Sequence, residues 1–256
     1  MGRAILKGRD ARVDEFVQAA EAALTQSGFM PPARGEVRAL VFPTSALSAH
    51  VRAAEGLLDG AEVGRAARLR FDRDRDNYII AHALWRLLLA RSLGLAPGAL
   101  RLLSAPSGQP RLPGTGFSTS LSHSGGWVAM AVCNGESVGI DIEQVPPRLR
   151  MGDLIQTICT PAEALRATTL AEVPREAELL ALWTRKEALL KAFGVGLAEP
   201  LTSLRADEGA WVAPPPAAAG LAPCRAVMLN LGAGLVGALA VPAGITLAGL
   251  HRFDAI

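Results

Sequence analysis

The residues of this chain best suited to chemistry lie in the pentapeptide Gly139-Ile140-Asp141-Ile142-Glu143. Apolar and acidic residues alternate there, so a strand would place both isoleucines on one face and both carboxylates on the other. Two carboxylates about 7 Å apart on one strand face repel each other if both ionise in a dry site. A hard divalent cation removes that conflict, because Mg²⁺ takes oxygen ligands and commonly binds phosphate oxygens too. The pattern is equally typical of the exposed polar face of an edge strand.

A second segment with chemical potential, Ser122-His123-Ser124-Gly125, precedes the pentapeptide. Small hydroxyl residues beside glycine allow backbone amides to approach a phosphate closely, and a histidine adds a donor that titrates near neutral pH. A Ser-His-Asp hydrolase would use the same residue types and is the disfavoured alternative.

A long helix is predicted from Arg175 to Phe193. Trp183, Glu187 and Lys191 recur at every fourth position, so they share one face of it. A Glu–Lys pair at this spacing is also a common stabiliser of helix surfaces. Spacing alone leaves both interpretations open.

Thr160-Pro161-Ala162-Glu163 predicts the start of another helix, with Thr160 as N-cap and proline at the first position. A glutamate at the third position closes a capping box with the threonine. The pattern therefore explains Glu163 without any catalytic role.

The elements that must position these residues follow from periodicity and turn signals. We predict a strand at 37–42, a helix at 45–58, a helix at 78–93, and a hairpin of strands 127–132 and 137–143 around Asn134-Gly135. The apolar stretch 226–250 is interrupted by Asn230, Pro242 and glycines, which favours short strands over a membrane helix. Between the predicted helices at 45–58 and 78–93 lies an arginine-rich run interleaved with aspartates, typical of a solvated face.

Composition excludes several classes of protein. The 256 residues are 50% hydrophobic and carry a formal net charge of +2, too little for a polycationic nucleic-acid binder. Cys133, Cys159 and Cys224 are widely spaced and odd in number, which fits neither a disulfide framework nor a zinc site. No apolar segment near the N-terminus is long enough for a signal peptide. We expect a cytoplasmic protein that binds neither nucleic acid nor membrane.

Four motifs together resemble the 4′-phosphopantetheinyl transferases, specifically the larger Sfp-like class. In chain order they are Phe117 to Gly126, the pentapeptide at 139–143, Cys159 to Glu163, and Trp183 to Gly194. Gly108-Gln109-Pro110 resembles a further motif of the family. The resemblance runs from about Val37 to Leu250 and is sharp only between Gly108 and Gly194. In Gly108-Gln109-Pro110, Gln109 replaces the lysine that is usual in the family's motif.

The resemblance implies an α/β fold of two similar halves related by a pseudo-twofold axis. Each half would be a small, mainly antiparallel sheet packed with a long helix, and the cofactor would lie in the cleft between the halves. We place an N-terminal extension at 1–35, the N-terminal half at 36–110, and the C-terminal half with the metal motifs at 111–256. A monomer is expected to suffice.

The resemblance also implies roles for individual residues. Asp141, Glu143 and Glu187 would bind Mg²⁺, with Mn²⁺ able to replace it, and Glu143, Glu163, Glu187 and Lys191 would be catalytic. The residues expected to contact coenzyme A are Arg65, Arg68, Arg75, Gln109, Pro110, Ser122, His123, Asp141, Lys186 and Lys191. Either Glu163 or Glu143 would be the general base that removes the proton of the attacking serine hydroxyl.

The implied reaction transfers 4′-phosphopantetheine from coenzyme A to a serine of an apo acyl or peptidyl carrier protein and releases adenosine 3′,5′-bisphosphate. Fatty-acid, polyketide and nonribosomal-peptide carriers are all compatible with the sequence. Two rivals stay open: a coenzyme-A-binding module without transfer activity, and a magnesium-dependent phosphohydrolase that releases phosphopantetheine into solution.

Overall fold

The computed structural model describes residues 11–105, 107–196 and 199–254. Within these ranges the chain forms seven α-helices: α1 Ala11–Gln26, α2 Val51–Ala54, α3 Gly60–Ala66, α4 Asp72–Leu93, α5 Ile155–Ile158, α6 Pro161–Thr168 and α7 Glu172–Phe193. The described strands are β1 Glu36–Pro43, β2 Leu103–Ser104, β3 Pro110–Arg111, β4 Ser118–Ser124, β5 Trp127–Cys133, β6 Gly139–Gln144, β7 Trp211–Val212, β8 Cys224–Met228, β9 Leu235–Pro242 and β10 Thr246–Arg252. None of the described helices is long and apolar enough to cross a membrane.

The described chain divides into two compact units. The first contains residues 11–31, 41–100 and 251–254, and the second contains 32–40 and 101–250. Each unit has one helix of 22 residues, α4 in the first and α7 in the second. The predicted α/β fold with small antiparallel sheets and long helices is confirmed. The predicted division at 35/36 and 110/111 and the pseudo-twofold axis stay predictions.

The first unit is built around apolar stripes on its helices. Phe16, Ala20 and Leu24 recur at every fourth position of α1, so they share one face of the helix, and all three are fully buried. Helix α4 begins at Asp72, six residues earlier than predicted, and ends at Leu93. The next residue, Gly94, has the left-handed conformation that glycine adopts without strain. The helix predicted at 45–58 is broken into α2 and flanking 3₁₀ turns.

Two four-stranded sheets occur among the described strands, with the orders β10-β1-β5-β4 and β6-β9-β8-β7. The predicted hairpin of β5 and β6 is wrong: β5 pairs with β4, and β6 pairs with β9. The backbone of Asn134 is the reason, because it exchanges hydrogen bonds with Gly35 and Glu36 instead of closing a two-residue turn. The chain then passes from one sheet to the other before β6 begins.

Helix α7 packs against β6 and β9, and its buried face supplies Leu179, Leu189 and Leu190 to the core of the second unit. The contact with β6 is unusually close at Gly139. A Cβ atom added there would lie 1.9 Å from the carbonyl oxygen of Ala188. Glycine therefore allows the two backbones to touch, which brings the carboxylates of β6 to the polar face of α7.

Candidate active site

Strand β6 separates apolar from acidic side chains as its alternation predicts. Ile140 and Ile142 are fully buried, while Asp141 lies on the other face and is also buried. One oxygen of Asp141, Oδ1, accepts hydrogen bonds from Ser122 Oγ at 2.7 Å and from Lys191 Nζ at 2.7 Å. The other oxygen, Oδ2, is buried without a hydrogen-bond partner among the described residues. Asp141 is thus held by two donors with one oxygen left for a further ligand.

Helix α7 presents Glu187 and Lys191 one turn apart. Besides Asp141, Lys191 Nζ reaches the carbonyl oxygen of Ile140 at 3.2 Å, so this ammonium ties the helix to β6. Glu187 Oε1 is buried without a hydrogen-bond partner in the described part of the chain. Burial, reinforced by the negative charges of Asp141 and Glu143, raises the pKa of Glu187 to about 7.

Glu143 is half-buried at the end of the same strand face. Ser124 Oγ donates a hydrogen bond to its Oε2 at 2.8 Å. Burial raises the pKa of Glu143, and hydrogen bonds from Ser124 and Trp183 offset only part of that rise. The charge of Asp141 adds to the rise in the pKa of Glu143 and of Glu187, so the three carboxylates lie close together.

The donor set of this acidic triad, Asp141, Glu143 and Glu187, fits a hard divalent cation. Two of its buried carboxylate oxygens lack a hydrogen-bond partner among the described residues, and like charges at such a site favour a cation. Among the same residues, no three His, Cys, Asp or Glu side chains already surround a common point as metal ligands. The assignment of Mg²⁺ to the triad stays a prediction.

A row of serines on β4 faces β6. The hydroxyl oxygens of Ser120, Ser122 and Ser124 accept hydrogen bonds from the backbone N–H groups of Ile140, Ile142 and Gln144, at 3.1, 3.4 and 3.0 Å. The row was not predicted as a unit, although serine recurs at every second position of Ser-Thr-Ser-Leu-Ser-His-Ser. His123 points to the opposite face of β4 and is exposed.

The side chain of Gln109 contacts the C-terminal end of α7. Its Nε2 donates to the carbonyl oxygen of Lys191 at 3.2 Å, and its side chain fills the space where a Cβ of Gly194 would stand. Pro110 begins β3, which pairs with β2. The structure thus places Gln109 beside Lys191, and its predicted contact with coenzyme A stays a prediction.

Glu163 and Lys186 form a separate buried network. Thr160 and Glu163 make the capping box that the sequence predicts. Lys186 is 0% exposed, and its Nζ donates to Glu163 Oε2 at 2.6 Å and to the carbonyls of Ile158 and Leu201. Burial alone would raise the pKa of Glu163, but hydrogen bonds from Lys186 and from two backbone N–H groups lower it.

The three predicted arginines belong to the first unit. Arg65 is exposed on α3 and Arg68 is exposed in the turn that follows it. Arg75 lies in the first turn of α4, where its guanidinium contacts Asp72 at 3.1 Å. Their predicted role toward a phosphate stays a prediction.

A serine hydrolase is not supported by the geometry. Residues 135–139 read Gly-Glu-Ser-Val-Gly and match the Gly-x-Ser-x-Gly pattern, but Ser137 lies in the link before β6 and not on a strand-to-helix turn. Its hydroxyl is buried 3.9 Å from Cys224 Sγ. That serine is packed in the core of the second unit.

Comparison with known proteins gives this geometry a family context. Residues 137–228 match the model of the 4′-phosphopantetheinyl transferase superfamily. The resemblance to the 4′-phosphopantetheinyl transferases is confirmed. The matched segment contains the whole acidic triad together with Glu163, Lys186 and Lys191.

Individual phosphopantetheinyl transferases are similar over a longer stretch. HetI of Nostoc is 30% identical over 56% of this chain, the phosphopantetheinyl transferase of Thraustochytrium is 32% identical over 65%, and the 4′-phosphopantetheinyl transferase of Bacillus subtilis is 28% identical over 54%. The chain spans 62, 63 and 61% of the lengths of these relatives.

Proposed function

We propose that this protein transfers 4′-phosphopantetheine from coenzyme A to a serine hydroxyl of an apo carrier protein and releases adenosine 3′,5′-bisphosphate. The observation that carries the proposal is the contact of Lys191 with Asp141 at 2.7 Å, beside two further carboxylates, within the segment that matches the superfamily. The names of the similar proteins support phosphopantetheinyl transfer as the reaction.

The chemistry needs negative charge to be stabilised on a diphosphate. Asp141, Glu143 and Glu187 would hold Mg²⁺, which supplies Lewis acidity and a template for phosphate oxygens when bound. Lys191 would donate to a phosphate oxygen from a position already fixed by Asp141 and the carbonyl of Ile140. His123, which is exposed, would be a second donor to the diphosphate.

Of the two candidate bases, we favour Glu143. Glu163 is 2% exposed, and its two oxygens accept hydrogen bonds from Thr160, Lys186 and Ala206. A carboxylate so fully engaged does not reach a serine of another protein, whereas Glu143 is half-buried and would take the serine proton through a water molecule while it holds Mg²⁺. Glu163 and Lys186 then act on the fold by joining α6 to α7.

The nucleotide end of coenzyme A requires cations for its 3′-phosphate. Arg65, Arg68 and Arg75 remain the proposed contacts, because a guanidinium is always charged and bonds two phosphate oxygens at once. Arg65 and Arg68 are exposed, so folding does not remove their charged groups from water.

The partner would be an apo acyl or peptidyl carrier protein of fatty-acid, polyketide or nonribosomal-peptide synthesis, modified by a cytoplasmic monomer. Carrier proteins with an acidic recognition surface would be steered by the basic residues of this chain, so association should weaken as salt rises.

Mass spectrometry of several apo carriers after incubation with coenzyme A and Mg²⁺ tests the proposal. A transferase adds one phosphopantetheine group to the carrier serine, and Asp141→Asn abolishes the addition. A coenzyme-A-binding module leaves the carriers unmodified, and a phosphohydrolase produces free phosphopantetheine in their absence. Either of these two results contradicts the proposed function.

A further inference from the structure

The serine row of β4, Ser120, Ser122 and Ser124, does more than join two strands. Strand β6 is an edge strand of its sheet, and β4 is an edge strand of the other four-stranded sheet. The outward N–H groups of an edge strand need acceptors, because an unpaired buried N–H is costly. Here serine hydroxyl oxygens supply those acceptors at three successive outward positions of β6.

Accepting a backbone N–H determines where each hydroxyl proton goes. A serine hydroxyl has one proton, and the oxygen that receives an N–H directs this proton toward a different acceptor. For Ser122 that acceptor is Asp141 Oδ1, at 2.7 Å, and for Ser124 it is Glu143 Oε2, at 2.8 Å. In each case the carboxylate belongs to the residue just before the one whose N–H the serine accepts: Asp141 precedes Ile142, and Glu143 precedes Gln144.

Ser120 is the natural internal control in this arrangement. It accepts from the N–H of Ile140, and the residue preceding Ile140 is Gly139, which has no side chain. The three serines thus share one structural task on β6, and two of them have a carboxylate as an additional partner.

We propose that Ser122 and Ser124 are positioning residues that orient Asp141 and Glu143 for a divalent cation. This inference rests on the proposed function. Each hydroxyl occupies one oxygen of its carboxylate and fixes the plane of the group. In Asp141 this leaves Oδ2, the buried oxygen without a hydrogen-bond partner among the described residues, for the cation. Hydrogen bonds to a charged acceptor are the stronger class, so the orientation is well held.

This inference changes the role of Ser122, which the sequence predicts to contact coenzyme A. The side chain is 6% exposed, and its hydroxyl is already bonded to Asp141 and to the N–H of Ile142. Loss of the hydroxyl should therefore change cation affinity first, with the KM for coenzyme A affected less.

The test compares Ser120→Ala, Ser122→Ala and Ser124→Ala in the full chain, with Mn²⁺ as the probe. Binding is measured without substrates by electron paramagnetic resonance, and transfer is measured as a function of Mg²⁺ and of coenzyme A. We expect Ser122→Ala and Ser124→Ala to weaken Mn²⁺ binding roughly tenfold, as for loss of one hydrogen bond to a charged group. Ser120→Ala should retain wild-type Mn²⁺ affinity although it lowers the melting temperature.

Ser124→Thr keeps the hydroxyl and should bind Mn²⁺ with the wild-type affinity, which Ser124→Ala should not. Since Ser124 is half-buried, this pair of variants decides the matter even if Ser122→Ala does not fold. The inference is overturned if both alanine variants bind Mn²⁺ like the wild type, if Ser120→Ala weakens binding equally, or if the wild type binds no Mn²⁺. A wild type that binds Mn²⁺ but modifies no carrier overturns the proposed function instead.

Discussion

Replacing Gly139 with alanine should damage both the fold and the acidic triad through one steric contact. The added Cβ would lie 1.9 Å from the carbonyl oxygen of Ala188 and 2.6 Å from the backbone nitrogen of Ala192, whereas ordinary contacts begin at 3.4 Å. Both obstacles are backbone atoms of α7, so no side-chain rotation relieves them. The helix and β6 must separate by about 1.5 Å at this point (van der Waals contact as in).

The expected cost follows from that displacement. Overpacking a well-packed core usually costs about 1–3 kcal/mol, and a clash with backbone lies at the upper end or above. For a chain of this size, 3 kcal/mol corresponds to a fall of roughly 6–12 °C in melting temperature. Separation also lengthens the hydrogen bonds of Lys191 to Asp141 and to the carbonyl of Ile140, which are 2.7 and 3.2 Å.

Thermal unfolding and Mn²⁺ binding of Gly139→Ala measure these two effects separately. Gly64→Ala is the matched control, because a Cβ at this helical glycine meets nothing within 4 Å. We expect that control to be slightly more stable than the wild type, by about 0.5–1 kcal/mol. A Gly139→Ala variant with the melting temperature and the Mn²⁺ affinity of the wild type would show that α7 and β6 are not in backbone contact at this position.

Three further predictions concern charge. Lys191→Ala should lower the transfer rate about 100- to 1000-fold in single-turnover assays, as for removal of one preorganised donor; a loss under tenfold would count against its role. Lys186→Met should cost about 3–5 kcal/mol in chemical denaturation because it leaves Glu163 buried without its cation, whereas Arg205→Met, at an exposed pair, should cost under about 1 kcal/mol. Burial opposes ionisation of Glu62, but hydrogen bonds from His82, the Asp59 backbone and Arg86 lower its pKa below the ordinary value of 4.5. The ionised Glu62 therefore stabilises the folded state fully above pH 4.5. This stabilisation is lost as the pH falls through the pKa of the folded state. The stability difference between wild type and Glu62→Gln should therefore shrink on acidification, and a constant difference would show that Glu62 titrates normally.

Local sequence patterns were sufficient to predict the strand and the helices that carry the candidate site residues. The alternation of residues 139–143 gave the faces of β6, and the spacing of Trp183, Glu187 and Lys191 gave the polar face of α7. Thr160 to Glu163 gave a capping box because that motif is closed within four residues. In each case the information needed lies within a few turns or one strand.

Features that depend on distant pairing could not be predicted from one sequence. Asn134-Gly135 is a strong hairpin signal, yet the backbone of Asn134 is committed to Gly35 and Glu36, about one hundred residues earlier in the chain. The serine row becomes meaningful only when β4 lies beside β6. The need for glycine at 139 likewise appears only when α7 packs on that strand.

Three carboxylates acting on one cation are central to the proposed function, and the Mg²⁺ dependence of transfer by Glu187→Gln tests this most directly. Glu187 comes from α7 and the other two carboxylates come from β6, so this variant removes only the contribution of the helix. We predict that Glu187→Gln folds like the wild type, needs more Mg²⁺ for half-maximal transfer, and has a lower maximal rate. Transfer at the wild-type rate with the wild-type Mg²⁺ requirement would contradict the account.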